Sequence, residues 1–111
     1  MSDAVVQITL ELPQTLGNLP EAERNGLIRA GVFEATRARI RQLQAEVAEC
    51  ESQVRHFEER YSMSFSQFES ELLPKLDTLQ AHEDYNDWFY WHSLLSEKKN
   101  LLAGVQRVEP D

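Results

Sequence analysis

The stretch that decides the fold is residues 32–61, VFEATRARIRQLQAEVAECESQVRHFEERY. Its seam residues recur at alternating steps of three and four, which is the a/d spacing of a helix that buries a narrow stripe against another helix. The seam positions are Phe33, Thr36, Ile40, Leu43, Val47, Cys50, Val54, Phe57 and Tyr61. The residues between them are mostly helix formers, without Pro or Gly. Such a helix cannot cover its own seam and therefore needs a partner.

Length and charge limit the classes of protein that need to be considered. The 111 residues suit a single domain, 1–111, and the net charge of -8 opposes a broad nucleic-acid or anionic-membrane surface. The charge is uneven: residues 21–41 hold five arginines and three glutamates, a local +2, whereas residues 46–87 hold eleven acids and three bases, a local -8. The acidic half would attract a basic partner, although a solvated helix face would also explain it.

The single cysteine, Cys50, excludes an intrachain disulfide and a cysteine-based zinc site. Its seam position suits a small apolar residue. The sequence shows no signal peptide and no long apolar run, so we expect a cytoplasmic protein with no membrane contact.

Residues 5–12, VVQITLEL, alternate between apolar and more polar positions. One face carries Val6, Ile8, Leu10 and Leu12, which predicts a half-buried strand. Because no second convincing strand follows, we expect this strand to pair with another chain, either in a homodimer or at the sheet edge of a different protein.

The rest of the chain predicts helices. A short helix is expected at 20–30, followed after Gly31 by the long helix at 32–61; alternatively, the long helix begins near Pro20 and bends at Gly31. Ser64 and Gln67 form a capping-box pattern that starts a short helix at 64–73. A second long helix is expected at 82–105. Its apolar stripe contains Tyr85, Trp88, Trp91, Leu94, Leu95, Leu101, Leu102 and Val105.

These elements predict a mainly α fold. We expect a long, coiled-coil-like antiparallel helical hairpin, with one short N-terminal β-strand and a short helix at the hairpin tip.

The sequence contains no recognised catalytic motif. His82-Glu83 begins like a zinc-protease motif, but the next histidine is His92, which a helix would place at a different angle. We therefore expect no enzyme activity, no catalytic residue, no cofactor and no metal site.

Aromatic residues are concentrated between Tyr85 and Trp91, and they would cover more than half of a helix circumference. Packing in the hairpin core explains part of this cluster, and contact with a partner protein explains the remainder, since Trp and Tyr dominate binding hot spots. The candidate partner-binding residues are Tyr61, Phe65, Phe68, Tyr85, Trp88, Phe89 and Trp91.

Two alternatives to a dedicated binding protein remain open. One is a structural coiled-coil homodimer or scaffold. The other is a ribbon-helix-helix-like DNA-binding autoregulator, supported by the local arginines but opposed by Glu11 on the outward face of the strand.

The segment Phe57–Glu69 resembles a motif of small prokaryotic antitoxin-like proteins, in which a long helix ends at Tyr-Gly-Met-Ser-Phe and an acidic-aromatic helix follows. The matching residues are Tyr61, Met63, Ser64, Phe65, Phe68 and Glu69, then Asp84, Tyr85 and Trp88 further on. Ile8–Pro13 is similar to the usual strand start. Ser62 stands where these proteins carry Gly, and Leu72–Ala81 is longer than their corresponding segment.

This resemblance implies a partner encoded alongside the chain, for which a small, basic toxin is one candidate. The expected function is that of an antitoxin-like, non-catalytic module that neutralises its cognate partner by direct binding.

Overall fold

The computed structural model describes residues 5–108. Its three α-helices are α1 (Glu21–Tyr61), α2 (Phe65–Gln67) and α3 (Leu79–Gln106). A 3-10 turn, Gln14–Asn18, precedes α1; a π-helical turn, Phe68–Leu72, and a 3-10 turn, Leu73–Lys75, follow α2. Contacts divide the chain into two compact units, Met1–Val32 and Phe33–Asp111. The predicted mainly α fold is confirmed.

In the second unit, the part of α1 that follows Val32 packs against α3 in antiparallel orientation. Glu46, in the middle of this part of α1, lies 2.9 Å from the Lys98 ammonium in the C-terminal half of α3. Arg60, at the end of α1, lies 3.3 Å from the carboxylate of Asp84 near the start of α3. The predicted packing of two long antiparallel helices is therefore confirmed.

The predicted α1 seam is the side of the helix that faces α3. Every seam position is buried or half-buried, and Leu43 and Cys50 are almost completely buried. This burial follows from the three-four spacing, which places all of these side chains along one stripe of the helix.

A matching stripe runs along α3, and it contains two charged residues. The buried or half-buried positions with the same three-four spacing are Ala81, Asp84, Trp88, Trp91, Leu95, Lys98, Leu102 and Val105. Asp84 pairs with Arg60, and Lys98 pairs with Glu46. Polar residues at seam positions specify register and orientation, so these pairs favour the antiparallel hairpin.

The first unit has no buried residue between positions 5 and 32. Its regular structure comprises the 3-10 turn and the beginning of α1, where Arg24 and Glu21 form an ion pair at 3.9 Å. Among residues 5–32, the backbone hydrogen bond nearest the N-terminus runs from the Leu16 N–H to the Pro13 carbonyl at 3.0 Å.

The predicted strand at 5–12 does not form, and no strand occurs within residues 5–108. Its apolar face, Val6, Ile8, Leu10 and Leu12, is exposed. The physical reason is that the described chain offers no second strand to complete the backbone hydrogen bonds. The ribbon-helix-helix-like alternative depended on the same strand.

The helix boundaries refine the sequence prediction. The helix predicted at 64–73 is α-helical only over Phe65–Gln67 and continues as the π-helical turn Phe68–Leu72. α1 begins at Glu21, which agrees with the alternative that the long helix starts near Pro20.

α1 continues through Gly26 and Gly31, because a glycine costs about 1 kcal/mol in a helix and the surrounding helix formers outweigh it. α3 begins at Leu79 rather than His82, since the Thr78 hydroxyl accepts a hydrogen bond from the Ala81 N–H at 3.1 Å. Within residues 5–108, no helix is long and apolar enough to cross a membrane.

Candidate protein-binding site

The candidate site lies at the hairpin tip, where α1 ends. Ser62 adopts a left-handed backbone conformation with φ 54°, and the Met63 N–H donates to the Glu58 carbonyl at 3.3 Å. These are the features of a Schellman motif at a helix C-terminus, in which glycine is the preferred residue at the left-handed position. Serine occupies this position at a conformational cost.

A capping box starts the next helix, as the sequence predicted. The Gln67 N–H donates to the Ser64 hydroxyl at 3.2 Å, and the Ser64 N–H donates to the Gln67 side-chain oxygen at 3.1 Å. This reciprocal pair fixes the direction of α2 and thereby directs Phe65 and Phe68 into the core.

Trp88 is the centre of an aromatic core at the tip and is 0% exposed. Its ring lies 5.2–5.9 Å, between centroids, from four other rings: Phe57, Tyr61, Phe65 and Phe68. These distances lie within the range of favourable aromatic contacts. The indole N–H has no hydrogen-bond partner among residues 5–108. We name Phe57, Phe65, Phe68 and Trp88 the aromatic core.

Asp84 is a carboxylate buried beside the aromatic core, with 4% exposure. The Tyr61 hydroxyl donates to one of its oxygens, Gln80 Nε2 donates to the other at 2.9 Å, and Arg60 supplies the ion pair described above. Because a buried charge is costly without partners, these three contacts explain how α3 tolerates an acid on its seam. The contacts from Arg60 and Tyr61 join the end of α1 to the start of α3.

The same contacts perturb Tyr61. Burial, followed by the hydrogen bond to the Asp84 carboxylate, raises the pKa of Tyr61 to about 12. The phenol therefore remains protonated and continues to donate its hydrogen bond across the ordinary pH range.

A second tyrosine ties α3 to the π-helical turn. The Tyr85 hydroxyl donates to the Glu69 carboxylate at 2.7 Å, and this hydrogen bond is the main cause that raises the pKa of Tyr85. The bond holds Tyr85 in one orientation at the edge of the tip.

An exposed aromatic surface lies directly outside the aromatic core. Phe89 is 50% exposed, and its ring lies 6.1 Å from both the Tyr85 and the Phe65 rings. His92, which is also exposed, stacks on Phe65 at 4.8 Å. We name Tyr85, Phe89 and His92 the Phe89 surface.

The predicted partner-binding residues therefore divide by exposure. Phe65, Phe68 and Trp88 are buried, Tyr61, Tyr85 and Trp91 are half-buried, and Phe89 is exposed. A completely buried side chain such as Trp88 supports the surface without touching a partner. The sequence did not predict His92 as a member of this site, although its position three residues after Phe89 places both on neighbouring parts of one helix face.

An open groove of about 410 Å³ lies between α1 and α3, further from the tip. Its lining comprises Gln42, Ala45, Glu46, Glu49, Cys50, Trp91, Leu94 and Lys98. The hydrogen bond from Lys98 is the main cause that lowers the pKa of Glu46. Burial raises the pKa of the Cys50 thiol, which leaves it a poor nucleophile.

No protein-family model, curated protein or solved structure matches the chain. Within residues 5–108, no three His, Cys, Asp or Glu side chains are grouped as a metal site.

Proposed function

We propose that the chain is a non-catalytic protein-binding module, antitoxin-like, which neutralises a cognate partner protein by direct binding at the Phe89 surface. The observation that carries this proposal is the half-exposed Phe89 ring, which rests on a buried aromatic core. Aromatic side chains, Phe included, are enriched in the cores of protein interfaces, and an accessible ring on a rigid support is therefore suited to binding.

The Phe89 surface is organised before any partner arrives. Phe65 lies beneath Phe89 and His92, while the Glu69–Tyr85 hydrogen bond of 2.7 Å holds the neighbouring ring. Side chains that are already ordered lose less conformational entropy on binding, which supports a binding role for this surface.

The charge around the surface supports a basic partner. Glu69 lies at its edge, and residues 46–87 carry the local charge of -8. Opposite charge on a partner would accelerate encounter and disfavour acidic competitors. A small basic protein encoded next to this chain is the partner class that the proposal names.

The proposal is tested by co-expressing the tagged chain with the product of an adjacent small reading frame and capturing the complex. The wild-type chain should retain the product, and Phe89→Ala should release it. Leu79→Ala is the matched control, because Leu79 is an exposed α3 residue six positions before Tyr85 and is not part of the Phe89 surface. Failure of the wild-type chain to retain the product would contradict the proposal.

A structural scaffold without a neutralised partner is the second candidate. The observation in its favour is that Phe68 and Trp88 are completely buried, so much of the aromatic concentration serves packing. In this case Phe89→Ala would leave the binding of other proteins unchanged, and only substitutions in the aromatic core would lower the stability of the fold.

A further inference from the structure

We infer that residues 5–32 form an interface with a second copy of this chain, in which the two 5–12 segments pair with each other. Before Val32, six large apolar residues are exposed: Val5, Val6, Ile8, Leu10, Leu12 and Leu27. Ile8 and Leu10 are 70% and 65% exposed, and no residue between 5 and 32 is buried. An exposed apolar concentration of this kind marks an association surface.

The backbone of the 5–12 segment also supports pairing with a second copy. None of its N–H or carbonyl groups has a backbone partner within residues 5–108. The segment alternates between apolar and more polar positions, so pairing two copies would satisfy backbone groups and bring the Val6, Ile8, Leu10 and Leu12 faces together. The strand that the isolated chain lacks would then form on association.

A second copy fits this surface in charge, symmetry and size. Residues 5–32 hold three acids and two bases, a net -1, whereas residues 33–108 hold thirteen acids and nine bases, a net -4. Two copies therefore repel each other less through the first unit than through the second. A two-fold interface places the same patch on both partners, and the segment 5–32 is long enough to supply the roughly 20–30 residues per side of a standard interface.

The test is the mass of the full-length chain in solution, measured by light scattering after size exclusion. The wild-type chain should have twice the monomer mass of 12.9 kDa, and Ile8→Asp/Leu10→Asp should have the monomer mass. Because both side chains are exposed in the single chain, the helix content of this variant should not change. Leu79→Asp/Leu101→Asp, which charges two exposed residues of α3, is the matched control and should remain dimeric.

A monomeric wild-type chain, or a dimer that survives the Ile8/Leu10 substitutions, would overturn the inference. Dissociation by the Leu79/Leu101 variant alone would move the interface to α3 and overturn it as well. Amide hydrogen exchange tests the pairing separately, since residues 6–12 should exchange more slowly once the dimer is populated. A dimer without this protection would overturn the pairing of the two segments. These results do not depend on partner capture at the Phe89 surface.

Discussion

Trp88 and Phe89 are neighbours in the sequence, yet the first is 0% and the second 50% exposed. One residue along a helix corresponds to a rotation of about 100°, which is enough to pass from the seam to its flank. Trp88 faces α1 and completes the aromatic core, whereas Phe89 leaves this seam and contributes one ring to the exposed surface. The same helix thus supplies both the support and the part that a partner can reach.

The amino-acid composition alone does not show which aromatic residues stabilise the fold and which are available for binding a partner. The aromatic core contributes to stability, and the Phe89 surface contributes little to it. Substitutions on the two sides should therefore divide into those that change unfolding and those that change binding.

The largest effect is expected for Trp88→Ala, which should lower the free energy of unfolding by about 3–5 kcal/mol because it leaves a cavity among four rings. Urea unfolding followed by circular dichroism measures this loss. Trp88→Phe is the control, since it keeps an aromatic body and removes the unpartnered indole N–H, and it should lose less. Equal losses for both variants would show that ring packing is not the cause.

Asp84→Ala should lower the free energy of unfolding by about 1–3 kcal/mol, because the Tyr61 hydroxyl, Gln80 and Arg60 all lose their shared acceptor. Asp87→Ala removes an equal charge from an exposed position of α3 and should change stability by less than about 0.5 kcal/mol. The same unfolding measurement applies. Similar values for the two variants would contradict the role given to Asp84.

The pH dependence of stability tests Tyr61. Its pKa in the folded chain is about 12, above the ordinary value of 10.0, so its contribution is complete below pH 10 and is lost as the pH rises towards 12. The difference in unfolding free energy between the wild type and Tyr61→Phe should therefore shrink over this range. A difference that stays constant above pH 10 would exclude this coupling.

The smallest expected effect concerns the end of α1. Ser62→Gly should raise the free energy of unfolding by about 0.5 kcal/mol, because relief of a left-handed conformation worth about 1–2 kcal/mol exceeds the backbone entropy cost of glycine. Ser52→Gly, at an exposed position inside α1, should have the opposite sign. Thermal melts of both variants give the comparison.

Much of the second unit could be predicted from local patterns. The three-four spacing from Phe33 to Tyr61 predicted the buried stripe of α1, and Ser64 with Gln67 predicted the cap of α2. Apolar residues that recur at steps of three and four lie on one face of a helix, because the helix completes a turn about every 3.6 residues.

The polar members of the hairpin could not be predicted by hydrophobic spacing. Asp84 and Lys98 occupy seam positions of α3. A pattern defined by apolar residues does not include charged ones, so it did not predict these two as seam residues. Their burial depends on Arg60, Tyr61 and Glu46, which are distant in sequence and meet them only after the hairpin closes.

The strand prediction at 5–12 was wrong for the isolated chain for a related reason. Alternation describes how side chains would be distributed on a strand, whereas formation of the strand requires a neighbour that supplies hydrogen bonds. No segment within residues 5–108 supplies them.

The most direct test of the Phe89 surface is the affinity of Phe89→Ala for the captured partner, measured by titration calorimetry together with its melting temperature. If this surface is the binding site, the dissociation constant rises by about 30-fold, the loss expected for a hot-spot residue, while the melting temperature matches that of the wild type. Wild-type affinity in Phe89→Ala, or a loss of affinity that only accompanies unfolding, would contradict the assignment of the Phe89 surface as the binding site.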